Sequence, residues 1–364
     1  MRRTIYNEKE VVLDEFSLKL SAGERFALVG KSGCGKTTVN CFLSLLDLDR
    51  DNIMPWLAEN YIEVVFNHNK GEHYLIMDFL DHVKIWWENP FINVSRINRS
   101  IPDNLEIDIV DFIKKCIDNE QYAMTIIDSY YIRQYKSYYK IHVPHEIFIY
   151  GYTENAFLAK DYFDFTIYAM KEVEFDEFRE GFNRFSKVRD DDDYLRGLIL
   201  FKRNHNVVTK NNLQYNESGI YLADKTLIKN RLDGFIYSSP YVLASCSNTY
   251  EPCKGFITGF KCFELMVKEI ADSIAYDLIK PLSLLYNHIF MMGVRLQFLN
   301  DTKIINATSL INRNHELKVS MQVIRNSYIK QRIKHSIDID GLKRSLIVLL
   351  SEYKTLLDEF SLLL

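Results

Sequence analysis

Short apolar runs of strand length dominate the first half of the chain, and longer periodic stripes take over in the last third. Residues 10 to 30 alternate and then run apolar, "VVLDEFSLKL" and "RFALVG" flanking a turn at Ser21, Ala22, Gly23 and Glu24, a pattern that predicts a hairpin ending in a buried strand. The next segment, "TTVNCFLSLLDL", has helical spacing. Downstream, "YIEVVF", "YLIMDF", "AMTIID", "EIFIYG" and "DFTIYAM" read as strands. Helical patterns lie between them, such as "IDIVDFIKKCIDN" with an apolar face at Ile107, Val110, Ile113 and Ile117. Strand and helix in alternation predict an α/β fold: a parallel sheet flanked by helices.

After the last strand-like run, "EVEFDEFREGFNRFSKVRDDDDYLRG" predicts a solvated helix followed by a loop at Asp190 to Asp193. Residues 205 to 255 are rich in Asn and Ser, and a boundary near 225 divides the chain into a domain over 1–225 and a mainly helical C-terminal domain over 226–364. Periodic apolar segments at 260–298, 316–335 and 341–363 make up the latter. The final one presents Leu342, Leu346, Leu349, Tyr353, Leu356, Leu357, Phe360 and Leu363 on one broad face. Such a face must be covered, either within the appendage or across a homodimer of these C-terminal helices.

Composition narrows the classes. Hydrophobic residues at 47% and charged residues at 26% describe an ordinary globular chain. A net charge of −4 leaves no global basic field, so nucleic acid is not the expected partner. No run is long and apolar enough for a membrane span, no apolar leader opens the chain, and the six cysteines form no metal-ligand spacing, so the expectation is a reduced, cytoplasmic protein.

The sharpest signal is Gly30, Lys31, Ser32, Gly33, Cys34, Gly35, Lys36 and Thr37, which satisfies G-x-x-x-x-G-K-[ST] between a predicted strand and a predicted helix. Glycines at these positions let backbone N–H groups turn inward around phosphate oxygens, and the following helix adds its N-terminal partial charge. The cofactor expected over Gly30 to Thr38 is ATP: Lys36 reaches the β- and γ-phosphates, and the Thr37 hydroxyl holds Mg²⁺.

The opening "LDEFSLKLSAGERFALVGKSGCGKTT" resembles a transporter-type ATP-binding cassette. No LSGGQ-like segment follows, and no apolar strand ends in the Asp-Glu pair of such ATPases. From Asn98 onward the chain resembles the uridine kinase and phosphoribulokinase superfamily. The residues that carry this are "NRSIPDNLE" with Asn98, Pro102 and Asp103, the helix "IVDFIKKCIDNEQ", "IIDSYYIRQYK", and "EIFIYG" ending at Gly151. Arg184, Lys187, Arg189 and Asp190 resemble that family's basic lid. In two places the chain departs from the pattern: Met77 and Tyr150 stand where carboxylates are expected.

The resemblance implies a phosphotransferase that moves the γ-phosphoryl group to a hydroxyl of a small molecule, a nucleoside, sugar or related metabolite. Asp78, with Asp81 as the neighbouring choice, would be the base and a magnesium ligand. Arg184 and Arg189 would join Lys36 around the transferring group. Asp128, Arg133 and Lys136 would hold the acceptor. Each has a plainer reading: Asp78 and Asp128 as helix caps, Arg133 and Lys136 as solvated charges, Arg184 as the partner of Glu180. Tyr130, Tyr131 and Tyr135 are candidates for base stacking. The rival to transfer is a nucleotide-dependent switch or partner-binding P-loop ATPase, ABC-like ATPases included.

Overall fold

The structure, a computed structural model, describes residues 53–67, 76–79, 90–163, 169–185, 197–204, 222–239, 256–270 and 278–364. In chain order these form helix α1 (Met54–Glu59), strands β1 (Val64–Asn67), β2 (Ile76–Phe79) and β3 (Ile92–Asn98), and helices α2 (Ser100–Asn104) and α3 (Ile109–Asp118). Strands β4 (Gln121–Asp128), β5 (Pro144–Tyr152), β6 (Ala156–Asp161) and β7 (Ala169–Glu174), helix α4 (Phe175–Phe185) and strand β8 (Gly197–Arg203) follow. Helix α5 (Lys225–Ile236), strand β9 (Phe256–Thr258) and helices α6 (Lys261–Lys268), α7 (Ile279–Asp301), α8 (Thr308–Ile333) and α9 (Ile339–Leu363) complete the described chain.

The expected parallel sheet is not what these strands build. Every described pairing is antiparallel, in a three-stranded sheet of order β2-β1-β9 and a six-stranded sheet of order β3-β8-β4-β5-β6-β7. The physical reason lies in the connections. Between β5 and β6 only Thr153, Glu154 and Asn155 intervene, too few for a crossover, and the longer Ser129–Val143 connection between β4 and β5 carries no α-helix, so each strand returns beside its predecessor and runs antiparallel to it. Helices α3 and α4 do link strands that run the same way, β3 to β4 and β7 to β8, but those strands are not neighbours: β8 lies between β3 and β4, and β4, β5 and β6 lie between β8 and β7, so no described neighbours are parallel.

Both helices lie on one face of the larger sheet. Asp108 caps α3, its carboxylate accepting from Val110 N at 3.0 Å and also pairing with Arg179 of α4 at 2.7 Å. Val110 and Ile113, two of the four residues expected on the apolar face, are buried with Ile109 and Cys116 against Ala123, Ile127, Ile147 and Ile149. Phe178 and Phe182 of α4 close the same layer. On the opposite face, Met124, Phe148 and Phe201 belong to a second, larger core shared with α1, β1, β2 and the C-terminal helices.

That second core is where the long apolar stripes go. Leu342, Leu346, Leu349, Tyr353, Leu356, Leu357 and Phe360 of α9 are buried there, and α9 packs on α5, α6 and α8. Each such side chain contributes roughly 1.5–3 kcal/mol relative to exposure. The broad face is therefore covered inside the chain; Leu363 alone of the expected set is left 39% exposed.

Buried cations tie the segment after α1 to the C-terminal helices. Arg231 of α5 donates to Glu59 O at 2.6 Å and to Asn60 Oδ1 at 2.7 Å, and Arg295 of α7 donates to Ala58 O and Asn60 O. Carbonyls at a helix C-terminus have no partner within the helix and carry its negative dipole end, so two guanidinium groups satisfy them. His288 adds a contact with Ile62 O at 2.8 Å.

Candidate functional site

The phosphate loop, Gly30 to Thr38 with Lys36 and Thr37, lies outside the described residues. So do Asp81, Lys187, Arg189 and Asp190 to Asp193. Asp78 sits in β2, in register with Val65 of β1. Its strand neighbours are core residues: Met77 is buried, and Phe79 stacks on the His288 ring with centroids 5.9 Å apart.

The remaining predicted residues converge on the loop that joins β4 to β5. Asp128 ends β4 and is 1% exposed. Its carboxylate accepts from Tyr130 N at 3.1 Å, which is the capping role, and contacts His142 Nδ1 at 2.6 Å. His142 was not singled out from the sequence. It is far from Asp128 along the chain, and the antiparallel register that places Pro144 opposite Asp128 returns it to that carboxylate. The imidazole is half-exposed and stacks on the Tyr130 ring, centroids 4.1 Å apart at 19°.

Arg133 and Arg184 flank this pair, and both are engaged by acids. Arg133 bonds Glu177 and meets Glu174 at 2.9 Å, and the Glu177 hydrogen bond and charge hold the guanidinium pKa above its usual value. Arg184 pairs with Glu180 at 2.9 Å, one helical turn away, and lies 5.6 Å from the centre of the Tyr131 ring. The acceptor-gripping roles expected of Asp128 and Arg133, and the lid role of Arg184, thus meet side chains already committed within the protein. Lys136 is exposed.

Tyr135, a stacking candidate, is instead a core residue. It is 3% exposed, its hydroxyl donates to Asp161, and its ring lies 4.9 Å from Phe163 and 5.2 Å from His145. Tyr130 and Tyr131 stay half-buried at the rim. Among the described residues no group of three or more His, Cys, Asp or Glu side chains is arranged to hold a metal ion. No described helix is long and apolar enough to cross a membrane.

Residues 13–72 match the family model described as ABC transporter. The match spans the phosphate loop and a minor part of the 364-residue chain, and it supports a nucleotide-binding P-loop ATPase segment at the N-terminal end. No curated protein matches the chain.

Proposed function

We propose that this protein is an ATP-dependent P-loop ATPase, with Mg²⁺ held at Thr37, that uses nucleotide state to govern contact with a partner. Lys36 and the loop amides would bind the phosphates, and the residues beyond 90 would carry the response rather than complete a kinase site. One observation carries this choice over small-molecule phosphotransfer: the antiparallel pairing of β4 with β5. In a parallel sheet, the ends of the "IID" and "IYG" strands would both line one crevice, as open α/β sites require. Here Asp128 sits opposite Pro144 at the start of β5, so Asp128 and Gly151 fall at opposite ends of the paired strands.

A kinase reading retains one point in its favour, the convergence of Asp128, Arg133 and Arg184 around a single loop. The test separates the two. ATP turnover by the purified chain is measured with Mg²⁺, alone and with pools of nucleosides and sugars, with Lys36→Ala as the control. Basal turnover that is lost in Lys36→Ala and indifferent to every pool is the expected result. Stimulation by one pool, lost in Lys36→Ala and in Asp78→Asn, would replace this reading with the kinase.

A further inference from the structure

The loop from Ser129 to His142 has a composition that nucleotide hydrolysis does not require. It contains five tyrosines together with Arg133, Lys136 and Lys140, and no acidic residue. Its inward positions, Ile132, Tyr135 and Ser137, are buried and anchor it to the sheet. Backbone bonds fix its path: Ser129 N to Val143 O at 3.0 Å, Lys136 N to Phe163 O at 3.3 Å, and Tyr139 N to Tyr130 O at 3.0 Å. The outward positions are therefore held in place rather than merely solvated.

Tyr139 is the unusual one. Its φ is +48°, a left-handed conformation that a bulky residue rarely adopts, yet its side chain is 62% exposed and gains little from burial. A large, exposed aromatic kept in a disfavoured backbone conformation suggests use of the ring itself. It contacts Tyr130 at a centroid distance of 5.2 Å, and Tyr130 in turn stacks on the half-exposed His142, so rings run continuously across the surface. Lys136 and Lys140 are exposed beside them and form no ion pair with any described residue, whereas Arg133 and Arg184 are neutralised by their acids.

We propose that this loop is a stacking platform for single-stranded nucleic acid, with bases lying on Tyr139 and His142 and phosphates meeting Lys136 and Lys140. Aromatic faces accept any unpaired base, and two exposed lysines give a short backbone cations to follow. A duplex suits the surface poorly, because its bases are already stacked and the chain's net charge of −4 supplies few further phosphate contacts. A peptide adding as a strand fits less well, since β4 is already paired with β5 over Ala123–Asp128 and with β8 over Gln121–Met124.

Fluorescence anisotropy with labelled oligo-dT and oligo-U of about fifteen nucleotides, and with the matching duplex, tests the platform on the full chain at low salt. Lys36→Ala is titrated in parallel; strand binding that survives in it separates the platform from the ATPase. At least one strand should bind at least about ten-fold more tightly than the duplex, and the stronger of the two assigns DNA or RNA. Tyr139→Gly should weaken strand binding about five-fold or more while leaving the melting temperature unchanged or higher, because glycine accepts the positive φ. Lys136→Ala combined with Lys140→Ala should lower the slope of log affinity against log salt by about 1.4. Absence of strand binding, equal affinity for the duplex, or unchanged affinity in Tyr139→Gly overturns the proposal.

Discussion

Among the described residues two histidines are buried, one beside each core, and their surroundings shift their pKa values in opposite directions. In the helical core, His288 is wholly buried, with Nδ1 at 2.6 Å from the Tyr353 hydroxyl and Nε2 at 2.8 Å from Ile62 O, and its ring stacks 4.3 Å from Phe235. Burial pushes its pKa down to about 3, with the Ile62 hydrogen bond opposing and the nearby Arg295 charge reinforcing that shift. A carbonyl can only accept, so the neutral ring carries its proton on Nε2 and receives the Tyr353 O–H on Nδ1. Within the sheet's core, His145 is also buried, but its Nδ1 lies 2.8 Å from the Asp161 carboxylate. There burial again pushes the imidazolium down, and the Asp161 hydrogen bond and charge more than offset it, so the net shift is upward. Burial pushes both histidines the same way; the chemistry of the atom facing each ring decides the net direction of the shift.

The strongest way to break that contrast is to remove the counter-charge. Asp161→Ala leaves His145 without its carboxylate and the Tyr135 hydroxyl without its acceptor, and should cost about 3–5 kcal/mol in urea unfolding near pH 6. Tyr353→Phe is milder. It takes the donor from His288 Nδ1 inside a dry core and should cost about 1–3 kcal/mol, with the histidine still neutral by NMR.

Acid and base titration sharpen the comparison without a substitution. His288 has a folded pKa below the unfolded value, so its stabilisation is present above pH 6.5 and is lost as pH falls from there toward 3. That loss should approach about 1.4 kcal/mol per pH unit. His145, with a raised folded pKa, contributes fully below pH 6.5, and its contribution disappears as pH rises through the folded value. Unfolding free energy measured across this range should thus change slope near pH 6.5, and Asp161→Ala should abolish only the alkaline limb.

The smallest expected effect belongs to the partly exposed Asp108–Arg179 pair. The Arg179 hydrogen bond and charge hold the Asp108 carboxyl below its usual value against some burial, so the pair stabilises above the unfolded carboxyl range and is lost on acidification. Solvent screening keeps Arg179→Ala below about 1 kcal/mol at neutral pH. A larger loss there would mean that the α3–α4 contact depends on charge more than on the Val110, Ile113 and Phe182 packing.

Local pattern was legible wherever one face of one element decides the outcome. The α3 stripe at Val110 and Ile113, the α9 stripe from Leu342 to Phe360 and the helical character of residues beyond 260 all follow from periodicity, and the structure buries them accordingly. Strand positions at "YIEVVF", "AMTIID" and "EIFIYG" were equally readable. Strand direction was not, because an apolar run is the same whether its neighbour runs with it or against it. Individual side chains divide the same way: Lys36 and Thr37 stand in a motif confined to one stretch of chain, while His142 and Asp161 acquire partners only through the fold.

The sequence by itself determined the phosphate-loop motif at its N-terminal end, helices such as α3 and those beyond 260, and the apolar stripes that α3 and α9 bury, because these depend on spacing within a few turns of one element. Only the tertiary structure decided that the sheets are antiparallel, that Arg231 and Arg295 cap the end of α1, that Asp128 meets His142, and that the two buried histidines shift in opposite directions. Those outcomes depend on which distant atom is brought within about 3 Å, a distance set by packing and register rather than by any local pattern of residues.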